Sequence, residues 1–329
     1  MPTRIGMISF AHMHAASYAA CVQANPDAVL VGISDDDAER GKQMAEAYEC
    51  EYFGSDETLV EADIDAVIIC TENALHRDAT LLAAEAGRHV MCEKPISISV
   101  VDAQAMIEAC DHAGVGLMTA FPCRYGPAYI EARRLVAEGQ IGEILAMKGT
   151  NRGRNPGGWF VEPQLSGGGA TIDHTVHITD LMRDITGTEV AAVYCEMDRF
   201  FNPELKCDDA GLITMDFTGG AFATLDCSWS RPPHYPTWGD ATLALIGTEG
   251  NIWIDLFSEK LHIYQNDAAS YNWAGYGANI DYGLVAAFCD AVAAGHQMPV
   301  TGIDGLKAME VALAAYQSAA LGEIVPLPL

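Results

Sequence analysis

Apolar residues along this chain keep two rhythms, and the chain divides where one gives way to the other. Up to about residue 120, short unbroken apolar runs at 4–9, 28–34, 66–70, 89–92 and 116–119 alternate with stretches at 15–24, 38–48, 76–86 and 101–112 that carry helical periodicity. Unbroken runs are strands covered on both faces, and strand–helix alternation supplies crossovers. The expected fold is an α/β Rossmann domain, a doubly wound parallel sheet. After Phe121-Pro122 the texture changes. A helix at 127–138, a strand at 144–149 and a helix at 168–187 precede strand-like runs at 190–199, 210–217, 221–229, 241–246, 251–255 and 260–264. Gly219-Gly220 and Thr248-Glu249-Gly250 mark tight turns between neighbours. This predicts a C-terminal α+β domain with a large, mostly antiparallel open sheet, closed by helices at 282–294 and 305–321. The expected domains are 1–121 and 122–329, with the closing helices free to pack back on the first.

Composition narrows the classes of function. The length of 329 residues suits two cores rather than one, and no apolar run is long enough to span a bilayer. With 45 acids against 18 bases the net charge is −27, a field that repels nucleic acid and anionic membranes and so excludes both as partners. The ten cysteines contain no Cys-x-x-Cys pair and fall mostly in apolar runs, which reads as buried thiols in a reducing compartment. No metal is expected. The chain passes from Met1-Pro2-Thr3-Arg4 straight into a strand pattern without the features of a secretion signal, so a cytoplasmic location is expected.

Two stretches carry chemistry. Lys94, in Glu93-Lys94-Pro95, ends an apolar strand and so faces the crevice where α/β sheets bind ligands. Gly167-Gly168-Gly169 opens a helix bearing Asp173, His174, His177 and Asp180. Asp173 and His177 are four apart, which puts both side chains on one face about 6 Å apart, close enough for the carboxylate to orient the ring. The glycines allow close backbone approach, and the first helical turn presents N–H groups, so a site at this helix start is expected. A cation, a carboxylate and an imidazole together can move a proton with a hydride, the equipment of an oxidoreductase.

The first strand-to-helix turn, Ser9-Phe10-Ala11-His12-Met13-His14, stands where Gly-x-Gly-x-x-Gly would set bare backbone against a pyrophosphate. Ser9, Ala11 and His14 occupy the glycine positions. Asp35 follows about 25 residues later, where an acid binds ribose hydroxyls and repels a 2′-phosphate, favouring NAD over NADP. Arg40 is the neighbour that could turn toward such a phosphate. One residue of Asp35-Asp36-Asp37 should cap the next helix.

Taken in order, these residues resemble the Gfo/Idh/MocA family, the dehydrogenases typified by glucose-fructose oxidoreductase and inositol dehydrogenase. The likeness runs through Thr71-Glu72-Asn73-Ala74-Leu75-His76, Glu93-Lys94-Pro95, Phe121-Pro122-Cys123-Arg124-Tyr125, Gly139 to Ile144, Gly167 to Asp180, Gly247 to Gly250 and Val300 to Gly305. It implies a catalytic trio at Lys94, Asp173 and His177. Cofactor contacts are implied from the Ser9–His14 turn, Asp35, Thr71, Glu72, Asn73, His76, Glu93, Lys94, Pro95 and Arg124. A sugar or polyol would meet Lys94, Tyr125, Arg154, Trp159, Asp173, His174 and His177, and the C-terminal sheet would join a homodimer or homotetramer. The missing glycines depart from the family pattern, as does Glu72, where many members have proline. Three competing readings are a non-catalytic NAD sensor, a cofactor-retaining enzyme that runs a redox-cycled elimination or hydrolysis, and a metal-dependent hydrolase or lyase using Asp173, His174, His177, Asp180, His12 and His14.

Overall fold

The computed structural model describes residues 1–265 and 270–329. The chain forms two compact units, Met1–Pro122 with Gln164–Gly167 and Ile280–Leu306, and Cys123–Pro163 with Gly168–Asn279 and Lys307–Leu329. The first unit therefore takes in a late segment of the chain as well as its first 122 residues.

The first unit alternates β1 (Thr3–Ile8), α1 (Ala15–Ala24), β2 (Ala28–Ser34), α2 (Ala38–Ala47), β3 (Glu51–Phe53), α3 (Asp56–Val60), β4 (Ala66–Ile69), α4 (His76–Glu85), β5 (His89–Cys92), α5 (Val100–Ala113) and β6 (Leu117–Thr119). Among the described residues it is built on a six-stranded parallel sheet in the order β3-β2-β1-β4-β5-β6, the doubly wound arrangement expected. Ile5, Met7, Val67, Ile68, Val90 and Met91 are fully shielded in its core, each side chain worth about 1.5–3 kcal/mol of burial. The strand order reverses beside β1, and that switch point is where such sheets bind ligands. The short β3 and α3 were not anticipated. A three-residue edge strand with one exposed and two half-buried residues has no apolar run to show, whereas α3 is announced only by its Ser55 cap.

The second unit follows with α6 (Pro127–Ala137), β7 (Ile144–Thr150), the single turn α7 (Pro163–Ser166), α8 (Ala170–Thr186), β8 (Val190–Asp198), β9 (Ala210–Phe217), β10 (Phe222–Asp226), β11 (Thr242–Gly247), β12 (Asn251–Asp255), and the hairpin β13 (Lys260–Gln265) and β14 (Ser270–Gly275). Two helices, α9 (Ile280–Ala294) and α10 (Gly302–Leu321), and a short β15 (Val325–Pro326) close the chain. Among the described residues the large sheet has seven strands, β12-β11-β7-β10-β9-β8-β15, antiparallel except for β7 with β10. The strand expected to reach Trp229 stops at Asp226. Asp226 turns its Oδ1 onto the Ser228 N–H and hydroxyl, and this local turn ends the ladder. Gly149 lets α8 approach β7, since a Cβ there would stand 2.4 Å from Ile178.

Candidate active site

In the first unit, the turn after β1 is held by side chains where a glycine fingerprint would leave backbone bare. Ser9 adopts φ 67, the left-handed conformation that suits glycine. Four of the amides that follow are engaged. Phe10 N–H donates to Asp35 Oδ2 (2.8 Å), Ala11 N–H to Ser9 Oγ (3.1 Å), His12 N–H to the Cys70 carbonyl (2.9 Å) and His14 N–H to His12 Nδ1 (3.2 Å). His14, at the start of α1, sets its ring Nδ1 2.9 Å from Glu93 Oε1, and the His12 ring lies edge-on to it with centroids 4.5 Å apart.

Glu93 ends β5 wholly shielded from solvent. Burial alone would raise its pKa, but the charges of His12 and His14, the His14 hydrogen bond and the nearby Lys94 together hold it well below the usual carboxylate range. For His14, burial pulls the imidazole down, and Glu93, aided by Asp281, outweighs both burial and Lys94 to leave its pKa raised. Among the described residues, His12, His14 and Glu93 form the one group with three ligand atoms close enough, all within 4.8 Å, to hold a metal ion. Among the described residues, Asp173, His174, His177 and Asp180 of α8 form no such group.

A cavity of about 570 Å³ opens at the carboxyl ends of β1, β2 and β4, lined by Ser9, Asp35, Tyr52, Thr71, Glu72 and Leu75 among others. Its walls suit the adenosine half of a dinucleotide. Buried polar oxygens of Glu72 (Oε2) and Asn73 (Oδ1) meet no protein donor, as acceptors kept for a polyhydroxylated ligand would. Asp35 is shared: it accepts Nε and Nη2 of Arg40 at 2.8 and 2.6 Å as well as the Phe10 amide, and is held below the usual range despite burial. Asp37 supplies the expected cap of α2, accepting from Glu39 and Arg40. His76 braces the site from beneath, its ring nitrogens 3.0 Å from the Pro95 carbonyl and 3.3 Å from that of Thr71. Burial lowers its pKa, which favours the neutral ring. Pro95 thus orders His76 through its carbonyl, and the Lys94 N–H donates to Glu93 Oε2 at 2.9 Å.

In the second unit α8 is buried along nearly its whole length, polar residues included. Its start is closed. Asp208 accepts the amides of Gly169 and Thr171 on its carboxylate (3.0 and 2.8 Å) and that of Ala170 on its carbonyl (3.1 Å), while the Tyr316 hydroxyl donates to Asp208 at 2.7 Å. The N–H groups expected to be free at this helix start are therefore engaged by Asp208 and serve the fold. One turn on, Asp173 accepts Trp229 Nε1–H at 3.2 Å and lies 3.3 Å from His174 Nε2. His177 turns Nδ1 toward the Cys123 thiol, 3.9 Å away. Asp180 takes both arms of Arg124, at 2.7 and 2.6 Å. Trp229, Asp208 and Tyr316 escaped the sequence reading because nothing in the local pattern links them to α8.

The remaining expected substrate residues also belong to this unit. Arg154 stacks on Trp238 at 5.7 Å and donates weakly to the Pro233 carbonyl, which joins two stretches that looked separate in the sequence. Trp159 stacks on Phe160, with centroids 3.9 Å apart. Tyr125 is largely buried, and burial pushes its phenol up to about 12.

Comparison with known proteins agrees with this geometry. Residues 3–121 match the family model for the oxidoreductase family with an NAD-binding Rossmann fold, and residues 129–253 match that for the GFO/IDH/MocA C-terminal domain. The chain is 30% identical to the uncharacterized oxidoreductase YrbE of Bacillus subtilis (strain 168), over 90% of this chain and 89% of that one. It is 29% identical to the scyllo-inositol 2-dehydrogenase (NAD(+)) of the same organism, over 95% and 92%. Among solved structures, GenD2 from gentamicin A biosynthesis, in complex with NAD, superposes with a TM-score of 0.91 at 25% identity, covering 100% of this chain and 97% of that chain.

Proposed function

The chain belongs to the Gfo/Idh/MocA family of NAD-binding oxidoreductases, and from that premise we propose that it transfers a hydride between NAD and a secondary alcohol or ketone of a sugar, polyol or sugar derivative. What supports this is the burial of Lys94 beside the Glu93 network in the first unit and, in the second, of Asp173 and His177 on α8. Relatives named as inositol dehydrogenases point to the same substrate class.

When bound, the nicotinamide accepts or supplies the hydride. The remaining work falls to this chain's side chains. His177 takes the hydroxyl proton at Nε2, since Nδ1 faces the Cys123 thiol; such general-base help is worth about 10²–10⁴-fold. Lys94 stabilises the developing alkoxide, a donor whose loss costs roughly 3 kcal/mol. Asp173, fixed by Trp229, balances the charge that His177 gains. Arg154, Trp159 and Tyr125 contribute to recognition of the substrate. Asp35, with a carboxylate at the ribose end of the cavity, selects NAD over NADP.

The outer face of the seven-stranded sheet carries exposed Leu212, Phe222 and Trp253, and we assign subunit association to it, in a cytoplasmic homo-oligomer. Light scattering after chromatography tests that assignment. Among the described residues no helix is long and apolar enough to cross a membrane.

The decisive experiment screens polyols and sugars for reduced nicotinamide with wild type, Lys94→Ala and His177→Ala. Turnover by wild type and losses of at least about 100-fold in each variant are expected. Near-normal hydride transfer by both variants would remove the proposal.

A further inference from the structure

One arginine of the second unit meets no carboxylate among the described residues, in a chain that carries 45 acids against 18 bases. Every other arginine pairs with an acid or, in the case of Arg88, donates to three backbone carbonyls. Arg154 is the exception. Its Nη1 reaches the Pro233 carbonyl at 3.4 Å, and its Nε is shielded from solvent with no acceptor among the described residues. The guanidinium carbon lies over the Trp238 ring, 5.7 Å from its centroid. Stacking of that kind fixes the guanidinium plane and leaves the edge donors for an acceptor in that plane. The backbone beneath is pinned. Arg154 N–H donates to the Trp238 carbonyl (3.2 Å), Arg231 N–H to that of Gly153 (2.9 Å) and Asp240 N–H to that of Arg152 (2.8 Å). Nearby, Arg152 and Arg231 are balanced by Asp240 and Asp226, so the unpaired charge is that of Arg154. Arg231 stacks on Tyr235 at 4.3 Å, and its Nε is a second buried donor without an acceptor.

We propose that Arg154 anchors a carboxylate of the substrate, so that the preferred substrate is a polyhydroxy acid of the uronate or aldonate class and not a neutral sugar. This rests on the dehydrogenase reading above. A guanidinium stays charged at every working pH, so one without an acid partner in its own chain calls for an anion from outside. Two edge donors in one plane match the two oxygens of a carboxylate. A hydroxyl would occupy a donor and leave the charge unbalanced, whereas a phosphate dianion would bring one charge too many into a molecule of net charge −27. The anchor also lies next to the candidate chemistry. A Cβ on Gly153 would stand 2.7 Å from His174 Cε1 and 2.9 Å from Trp238 Nε1, so the backbone that carries Arg154 touches His174. His174 in turn lies 3.3 Å from Asp173. An acid held by Arg154 is therefore tethered beside the polar stripe of α8.

Steady-state kinetics of the full-length protein with NAD test this on matched compounds: glucuronate, galacturonate and gluconate against the corresponding neutral sugars or polyols, carboxamides and sugar phosphates. Wild type should favour the acid of each turned-over set by about tenfold or more in kcat/KM, chiefly through KM, as the loss of one charge-assisted contact predicts. Arg154→Gln should abolish that preference, lowering kcat/KM by about 10- to 100-fold for the acids and by less than about threefold for the neutral compounds. Arg154→Lys, which keeps the charge and loses the fork, should recover part of it. Equal use of acids and carboxamides by wild type, an equal loss on both in Arg154→Gln, or a preference for the phosphates would overturn the proposal while the dehydrogenase reading stands. Turnover of no compound, acidic or neutral, would overturn that reading and the proposal with it. Should Arg154→Gln fail to fold, as judged by circular dichroism, the wild-type choice between acid and carboxamide still decides.

Discussion

Two helices in this protein begin at glycine-type turns, and they solve the same problem in opposite ways. At the start of α8 the glycines are retained, and a distant residue, Asp208, reaches in, its carboxylate taking the amides of Gly169 and Thr171 and its carbonyl that of Ala170. At the start of α1 the glycines are gone, and nearby side chains, Ser9, His12 and Asp35, satisfy the amides instead. A glycine-rich helix start is thus no sign of a ligand site by itself, and its loss no sign of a dead one. What matters is where the N–H groups go.

Substitutions can break this contrast. Asp208→Ala strips α8 of its cap and leaves buried amides unpaired, so a loss of about 3 kcal/mol in denaturant unfolding is expected; a change below about 1 kcal/mol would show the carboxylate to be incidental. Gly169→Ala places a Cβ 1.9 Å from the Asp208 carbonyl oxygen, which is backbone and cannot swing away. About 2 kcal/mol is expected there, read from the same unfolding curves. His14→Gly should cost less, about 1 kcal/mol, because its side chain makes no cap bond and Glu93 keeps His12 and the Lys94 amide nearby. A larger loss of stability than in Gly169→Ala would reverse the contrast. Ser9→Gly should change the melting temperature least of all. Relief of the left-handed backbone, about 1 kcal/mol, offsets the lost hydrogen bond to Ala11 of similar size.

The same contrast marks how far the sequence could be read. Apolar runs such as Ala66–Ile69 and the long buried α8 announce themselves, because burial imposes a period on the residues that undergo it. Lys94, Asp173 and His177 could be singled out as candidates because strand ends and helix spacing place side chains predictably. The partners were not. Glu93 meets His14 across 79 positions, and Trp229 meets Asp173 across 56, separations over which no periodicity speaks. Asp35 could be nominated from the sequence as a candidate ribose ligand, but its grip on Arg40 needed coordinates, since an arginine five residues away can point toward or away from its neighbour.

The late segment of the first unit carries a consequence for how the protein is made. Helix α9 packs on α1, Ser17 bonds Asp281 at 2.5 Å, and Thr3 donates to the Cys289 carbonyl. A nascent chain emerging from the ribosome therefore holds its opening sheet without this covering helix until some 280 residues have been translated. The nucleotide-binding half is begun first and waits for residues 280–306 before it is complete, and a fragment cut at residue 121 would expose the apolar flank of α1 that α9 is meant to cover.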